Sequence, residues 1–193
     1  MRTIERPSGN ILIIGHARHG KDTAAELLAG HLGLSLKSSS LFMCERVIFP
    51  LLKEWHDGDH RSHPIRLFMD TENRAPPWYA TAEDCFNDRA NYRALWFNII
   101  RYVNTPDASA LGSMIWADHD IYVGLRSKAE FHALRNRNLI DVCIWVDRSD
   151  HLPNEPRSSM QLEPWMAHYV LDNNGDLDQL KFNVGQLANT LLE

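Results

Sequence analysis

The join between Asn10-Ile11-Leu12-Ile13-Ile14 and Gly15-His16-Ala17-Arg18-His19-Gly20-Lys21-Asp22-Thr23 constrains this chain more than any other stretch. The apolar run has no polar face, so it reads as a short strand over residues 10–14, buried on both sides. From Lys21 the period becomes helical, with Ala24, Ala25, Leu27, Leu28 and Leu32 apolar, and Gly30 and Gly33 mark the expected helix end. Gly-x-x-x-x-Gly-Lys between a buried strand and a helix start is the pattern of a phosphate-cradling loop. Glycines permit backbone angles barred to other residues, so successive N–H groups converge on an anion. The helix points its positive end at the same place, and Lys21 can bridge a transferred phosphate and its neighbour. The expected polyphosphate contacts are therefore Gly15, His16, Ala17, Arg18, His19, Gly20, Lys21, Asp22 and Thr23. Asp22 stands where a Mg²⁺-binding hydroxyl is usual, with Thr23 after it. Either Thr23 or Asp22 helps hold the metal, or water and phosphates hold most of it.

Bulk properties narrow the class. At 193 residues and 22.2 kDa, with 44% apolar residues and six Trp, the chain is long enough for one buried core. It reads as a single domain over 1–193 with an insertion. No run approaches the ~18 apolar residues of a membrane span, and MRTIERPSGN lacks a signal peptide's apolar core. Cys44, Cys85 and Cys143 are odd in number and lack CxxC spacing, so they read as reduced thiols of a cytoplasmic protein. A net charge of −5 is the wrong sign for coating a nucleic-acid backbone non-specifically. Arginines gathered in 89–101 and 126–137 still leave room for a local basic groove.

Along the chain, Leu34 to Lys37 reads as a second strand, and Leu41 to Trp55 as a helix kinked or broken at Pro50. Residues 56–81 lose periodicity and read as a long loop or excursion near an acceptor site. Helices are expected over Ala82 to Asn104, Ala108 to Trp116 and Ser127 to Arg137. Buried strands are expected at Ile121 to Val123, Val142 to Val146 and His168 to Leu171, with a closing helix over Leu177 to Leu192. Strands alternating with helices imply an α/β sandwich with a mostly parallel sheet.

A guanine reader's Asn-Lys-x-Asp is absent, and the chain is small for a motor ATPase. One phosphate loop with dispersed arginines fits a kinase for a small acceptor, which needs positive groups around the phosphoryl in flight and a base at the acceptor hydroxyl. Arg126, at a strand's carboxyl end, faces the same sheet edge as Gly15. Arg148 and Arg157 flank a stretch that reads as a lid within 147–165, and Arg148 is a further nucleotide contact. Asp147 ends a strand and reads either as a metal ligand or as a cap or loop residue. On a continuous helix Asp84, Asp88 and Asn91 would share a face, with Arg89 and Arg93 on an adjoining one. Asp88 is the candidate acceptor-side base, and the competing reading is a solvated helix stitched by ion pairs. Ser38, Ser39, Ser40 and Glu45 would also line an acceptor site, with Ser40 alternatively an N-cap.

Gly-x-x-x-x-Gly-Lys-Asp-Thr resembles the opening of the phage deoxynucleoside monophosphate kinases and their relatives. The late Tyr169-Val170-Leu171-Asp172-Asn173-Asn174-Gly175 before a final helix resembles them too. Ser38-Ser39-Ser40, Cys85 to Arg93 and Ile121 to Arg126 are more similar to the phage P-loop kinases that phosphorylate 5-hydroxymethyluracil within DNA, a step in thymine hypermodification. The resemblance covers most of the chain and thins over 56–81. It implies a P-loop NTPase three-layer sandwich of nucleoside-monophosphate-kinase type, with a five-stranded parallel sheet and helices on both faces. It further implies ATP and Mg²⁺ at Gly15 to Thr23 and, for a phage-encoded chain, a place in the host cytoplasm.

Three readings follow. The favoured one is an ATP-dependent phosphotransferase acting on modified uracil in DNA, with Lys21, Asp88 and Arg126 catalytic and Arg89, Asn91 and Arg93 on the substrate. Trp78 and Tyr79 would then stack on a flipped or unpaired base. The second is a kinase of free deoxynucleoside monophosphates, and the third a non-catalytic nucleotide-binding switch. Where monophosphate kinases tend to place Asp two residues before the strand-end arginine, this chain has Gly124, which favours the DNA-kinase branch. The acidic net charge favours a free nucleotide. Oligomeric state is left open, a dimer included.

Overall fold

The computed structural model describes residues 9–58, 63–69 and 77–193. In chain order, β1 (Ile11–Ile14) leads through the glycine loop into α1 (Lys21–Leu32) and then β2 (Leu36–Ser38). A helical stretch follows: α2 (Ser39–Met43), a π-helical turn (Cys44–Ile48) and α3 (Phe49–Asp57). After a 3-10 turn at Pro64–Leu67 come α4 (Ala82–Asn87), a second 3-10 turn (Asp88–Ala90) and α5 (Arg93–Val103). The remainder alternates through α6 (Ala110–Asp118), β3 (Ile121–Val123), α7 (Lys128–Asn136), β4 (Val142–Asp147), β5 (Tyr169–Asp172) and α8 (Leu177–Leu192). The chain forms two compact units, one from the residues up to Ser39 with Gly112–Glu193, the other from Ser40–Leu111. Among the described residues no helix is long and apolar enough to cross a membrane.

The first unit holds one sheet of five strands in the order β2-β3-β1-β4-β5, and every pairing is parallel. β1 is central, and all four of its side chains are buried, as a strand covered on both faces requires. On one face Ile11, Ile13, Val123 and Ile144 pack with Ala25 and Leu28 of α1 and Leu180 and Val184 of α8. On the other, Tyr122 donates its hydroxyl proton to Glu130 of α7 at 2.9 Å and meets Trp116 of α6 edge-on. Helices on both faces of a parallel sheet, with the glycine loop at the carboxyl end of the central strand, make this the expected P-loop α/β sandwich. α1 begins after Gly20, whose left-handed backbone supplies no side-chain cap. It stops at Gly33, also left-handed, whose N–H donates to Ala29. Gly30 lies inside α1 and does not end it.

The second unit is helical among its described residues. The run through Pro50 breaks just ahead of the proline, in keeping with the expected kink or break, and α3 starts afresh with Pro50 in its first turn. The π turn just before it accommodates a ring that cannot donate to the preceding turn. α3 continues to Asp57 and a 3-10 turn covers Pro64–Leu67, so parts of the expected 56–81 loop are ordered turns; residues 59–62 and 70–76 of it lie outside the described residues. The single helix expected over 82–104 is three pieces. Thr81 and Asp84 form a capping box at its start. Asp88 then accepts from the Asn91 amide at 2.6 Å, a local side-chain bond that competes with helix continuation. Ser40 is also not an N-cap, because Ser39 already begins the helix.

A core deletion checks the sheet. Ile13 is only 1% exposed in the middle of β1. Ile13→Ala is expected to cost about 3 kcal/mol through lost burial and a residual cavity, read as a lower urea midpoint with an unchanged slope.

Candidate functional site

The loop between β1 and α1 takes its shape from three backbone positions. Gly15 has φ +145, and a Cβ there would lie 2.5 Å from the Val146 carbonyl oxygen of β4. Gly20 has φ +83, and a Cβ there would strike the Asn173 side-chain amide. Arg18, at φ +65, carries a full side chain in the left-handed region and is exposed. With no side-chain cap on α1, its first N–H groups are free to face an anion.

The loop is also tied from behind by β5. The Asn173 amide, only 4% exposed, donates to the His19 carbonyl at 2.8 Å, and Asn173 N–H donates to the Asp147 carbonyl. Arg148 donates through Nη1 to the Asn173 carbonyl at 3.2 Å, which adds to the loop's support. Lys21 is buried, and its ammonium donates to the His16 carbonyl at 2.6 Å. Burial, with the Arg126 charge second, pushes its pKa down from 10.5 to about 8 against the opposing pull of Asp22 and Glu155.

Residues 148–163 cross the loop as an irregular strap. Glu155 Oε2 accepts from the Ala17 N–H at 2.6 Å, and both Glu155 oxygens accept from Arg126 Nη1, at 2.7 and 2.9 Å. Burial pushes the Glu155 carboxyl up, but the bonds from Arg126 and Ala17 outweigh it and hold its pKa below the ordinary value. The two loop histidines pin the strap. Glu155 N–H donates to His16 Nδ1 at 3.1 Å, and Arg148 N–H donates to His19 Nδ1 at 3.0 Å. Both rings therefore carry their proton on Nε2 when neutral. Burial lowers the pKa of both histidines.

The structure thus gathers Gly15 to Thr23, Arg126, Asp147 and Arg148 at the carboxyl edge of one sheet. Asp22 and Thr23 are exposed at the first turn of α1, where a metal bound to a phosphate could reach either. Asp147 ends β4, and its oxygens accept from Ser149 N–H at 3.3 Å and Ser149 Oγ at 3.0 Å. Ser38 ends β2 and Ser39 starts α2, where Ser39 contributes to the surroundings of the Tyr122 hydroxyl. Gly124 has φ +95, so the backbone leaving β3 takes a path unsuited to a side chain. The loop's donors, a buried ammonium and a carboxylate already seated on a loop N–H fit a polyphosphate well.

The remaining acceptor candidates belong to the second unit. Asp88 is bound twice, by Asn91 and by the Tyr79 hydroxyl at 2.8 Å. Arg89 turns back over the Phe86 ring, 3.9 Å from its centre, and donates to the Phe86 carbonyl. Glu45, Asn91 and Arg93 are exposed, and Ser40 is half-buried. The face expected to unite Asp84, Asp88 and Asn91 does not form, since Asp84 serves the capping box and the helix breaks at Asp88. Reasoning from sequence missed Glu155 and Asn173 as site residues. Glu155 had no signal beyond an acid between two prolines, whereas Asn173 lay in the turn singled out before the last helix.

No family model matches the chain, and no curated protein matches it. Among solved structures it is similar to a shikimate kinase from Bacteroides thetaiotaomicron, with 12% identity over 95% of this chain and 98% of that one and a TM-score of 0.43. It is also similar to a gluconokinase from Sinorhizobium meliloti 1021, with 15% identity over 96% and 97% and a TM-score of 0.41. Likeness at that level says nothing of what this chain acts on.

The histidines set a pH dependence. Their folded pKa values lie below 6.5, so between those values and 6.5 the unfolded chain binds more protons than the folded one. Stability is full above about pH 6.5 and falls as pH drops below it. Melting temperature is expected to decline between pH 7.0 and 5.5, and to decline less in His19→Asn, whose amide oxygen can still accept from Arg148 without titrating.

Proposed function

We propose that the chain is an ATP-dependent phosphotransferase. The observation that carries this is the anion seat itself: Ala17 N–H and Arg126 close on a carboxylate beside the buried Lys21. Gly15 to Thr23 would hold the phosphates of ATP and Thr23 or Asp22 its Mg²⁺; when bound, ATP supplies the transferable phosphoryl group. Lys21 provides a fixed, buried positive charge, which acts more strongly on developing negative charge than an exposed one would. Arg126, at the end of β3, is the second cation for the phosphoryl in flight. The favoured acceptor is the hydroxymethyl group of 5-hydroxymethyl-deoxyuridine in DNA, with Asp88 orienting the hydroxyl. What supports that branch is the similarity around Ser38–Ser40, Cys85–Arg93 and Ile121–Arg126, together with Gly124. The net charge of −5 favours a free deoxynucleoside monophosphate as the second reading.

γ-Labelled ATP offered with hydroxymethyluracil DNA, ordinary DNA and each free monophosphate separates these readings. Label is expected in the modified DNA alone; label only in free monophosphates moves the assignment to the second reading. No transfer to any acceptor leaves a nucleotide-binding switch. Lys21→Ala is expected to lower transfer by well over tenfold, and retained activity would overturn the loop assignment. Because the Lys21 pKa is about 8, ATP affinity is expected to weaken as pH rises through 8 and the ammonium is lost. Titration calorimetry at pH 7 and 9 measures it.

A further inference from the structure

The strap uses the anion seat for its own carboxylate. Ala17 N–H sits inside the loop whose amides would cradle a phosphate, and a single N–H cannot bind Glu155 and a phosphate fully at once. Arg126 Nη1 is likewise committed, to both Glu155 oxygens and to the Ser159 carbonyl at 3.3 Å. The strap is anchored at each end, and its middle meets the loop at Glu155, through the carboxylate and through its N–H on His16 Nδ1. At one end Arg148 N–H is held by His19. At the other, Met160 and Leu162 are buried, Gln161 N–H donates to the Arg126 carbonyl and the Gln161 side chain accepts from Lys128 N–H. Between them Pro153, Asn154, Pro156, Arg157, Ser158 and Ser159 are exposed, while Leu152 and Glu155 are half-buried.

We propose that residues 148–163 are an autoinhibitory latch: the Glu155 carboxylate is an internal competitor for the nucleotide phosphate, and its displacement releases Arg126. The inference rests on the nucleotide reading above and adds an order of assembly to it. A polyphosphate brings more charge to Ala17 N–H and Lys21 than one carboxylate can, so it takes the seat and the strap's middle swings out on its two anchors. Arg126 leaves its carboxylate only at that moment. The second cation of the site therefore becomes available only after the donor has bound, which disfavours an acceptor engaging Arg126 alone.

The test compares ATP–Mg²⁺ and inorganic triphosphate binding by calorimetry in the wild type, Glu155→Gln and Glu155→Asp. The glutamine removes the charge, and the aspartate keeps it but falls short of Ala17 and Arg126. Both variants are expected to bind each ligand about tenfold more tightly, the scale of one charge-assisted hydrogen bond no longer broken on binding. Circular dichroism confirms that each is folded. Equal or weaker binding by a folded variant overturns the latch while leaving the nucleotide site intact. Binding by the variants but not by the wild type supports it. No binding by any of the three overturns the nucleotide reading and the latch with it, whereas loss of wild-type binding in Lys21→Ala supports the former separately.

Discussion

A buried ammonium sets the terms for the rest of this structure. Lowering the pKa of Lys21 from 10.5 to about 8 corresponds to a cost on the order of 3 kcal/mol at neutral pH. A fold accepts such a cost only where something offsets it. That figure is what remains after the carboxylates of Asp22 and Glu155 have pulled the pKa back up, and the His16 carbonyl accepts a hydrogen bond from the ammonium. The loop must hold that geometry rigidly, which explains why it is braced from three directions. Val146 of β4 closes on Gly15, Asn173 after β5 holds the His19 carbonyl, and the strap covers Ala17.

The sheet makes that bracing possible. With β1 between β3 and β4, the carboxyl ends of three parallel strands open at one edge, and each contributes to the same few atoms. β1 delivers the loop, β3 delivers Arg126 two residues beyond Gly124, and β4 delivers the start of the strap. Buried histidines are unusual in a loop meant for anions, because their protonated form would add charge at a cost. Here both act as neutral acceptors of backbone N–H groups. They serve as structural pins, and the basic character that the loop shows in the sequence rests on Arg18 and Lys21.

Much of the first unit was legible because local chemistry decides it. Four apolar residues followed by Gly-x-x-x-x-Gly-Lys and an apolar helical period leave few alternatives, and β1, the loop and α1 follow that pattern. Arg126 was legible for the same reason, as the residue that leaves a buried strand. Glu155 was not, since its meaning depends on Ala17, 138 positions away. The face expected around Asp88 failed for another reason. Helical period was read across a stretch where Asp84 and Asp88 have better local partners in Thr81 and Asn91, and periodicity alone cannot register a side chain that competes with the backbone.

Gly124 limits what the exit from β3 can carry. An aspartate there would have to hold φ near +95, beyond the left-handed well of about +50 to +70 that side-chain-bearing residues tolerate. Its Cβ would also arrive 3.4 Å from the Ser39 hydroxyl. A single exchange would therefore incur backbone strain of roughly 1–3 kcal/mol before any carboxylate could be used.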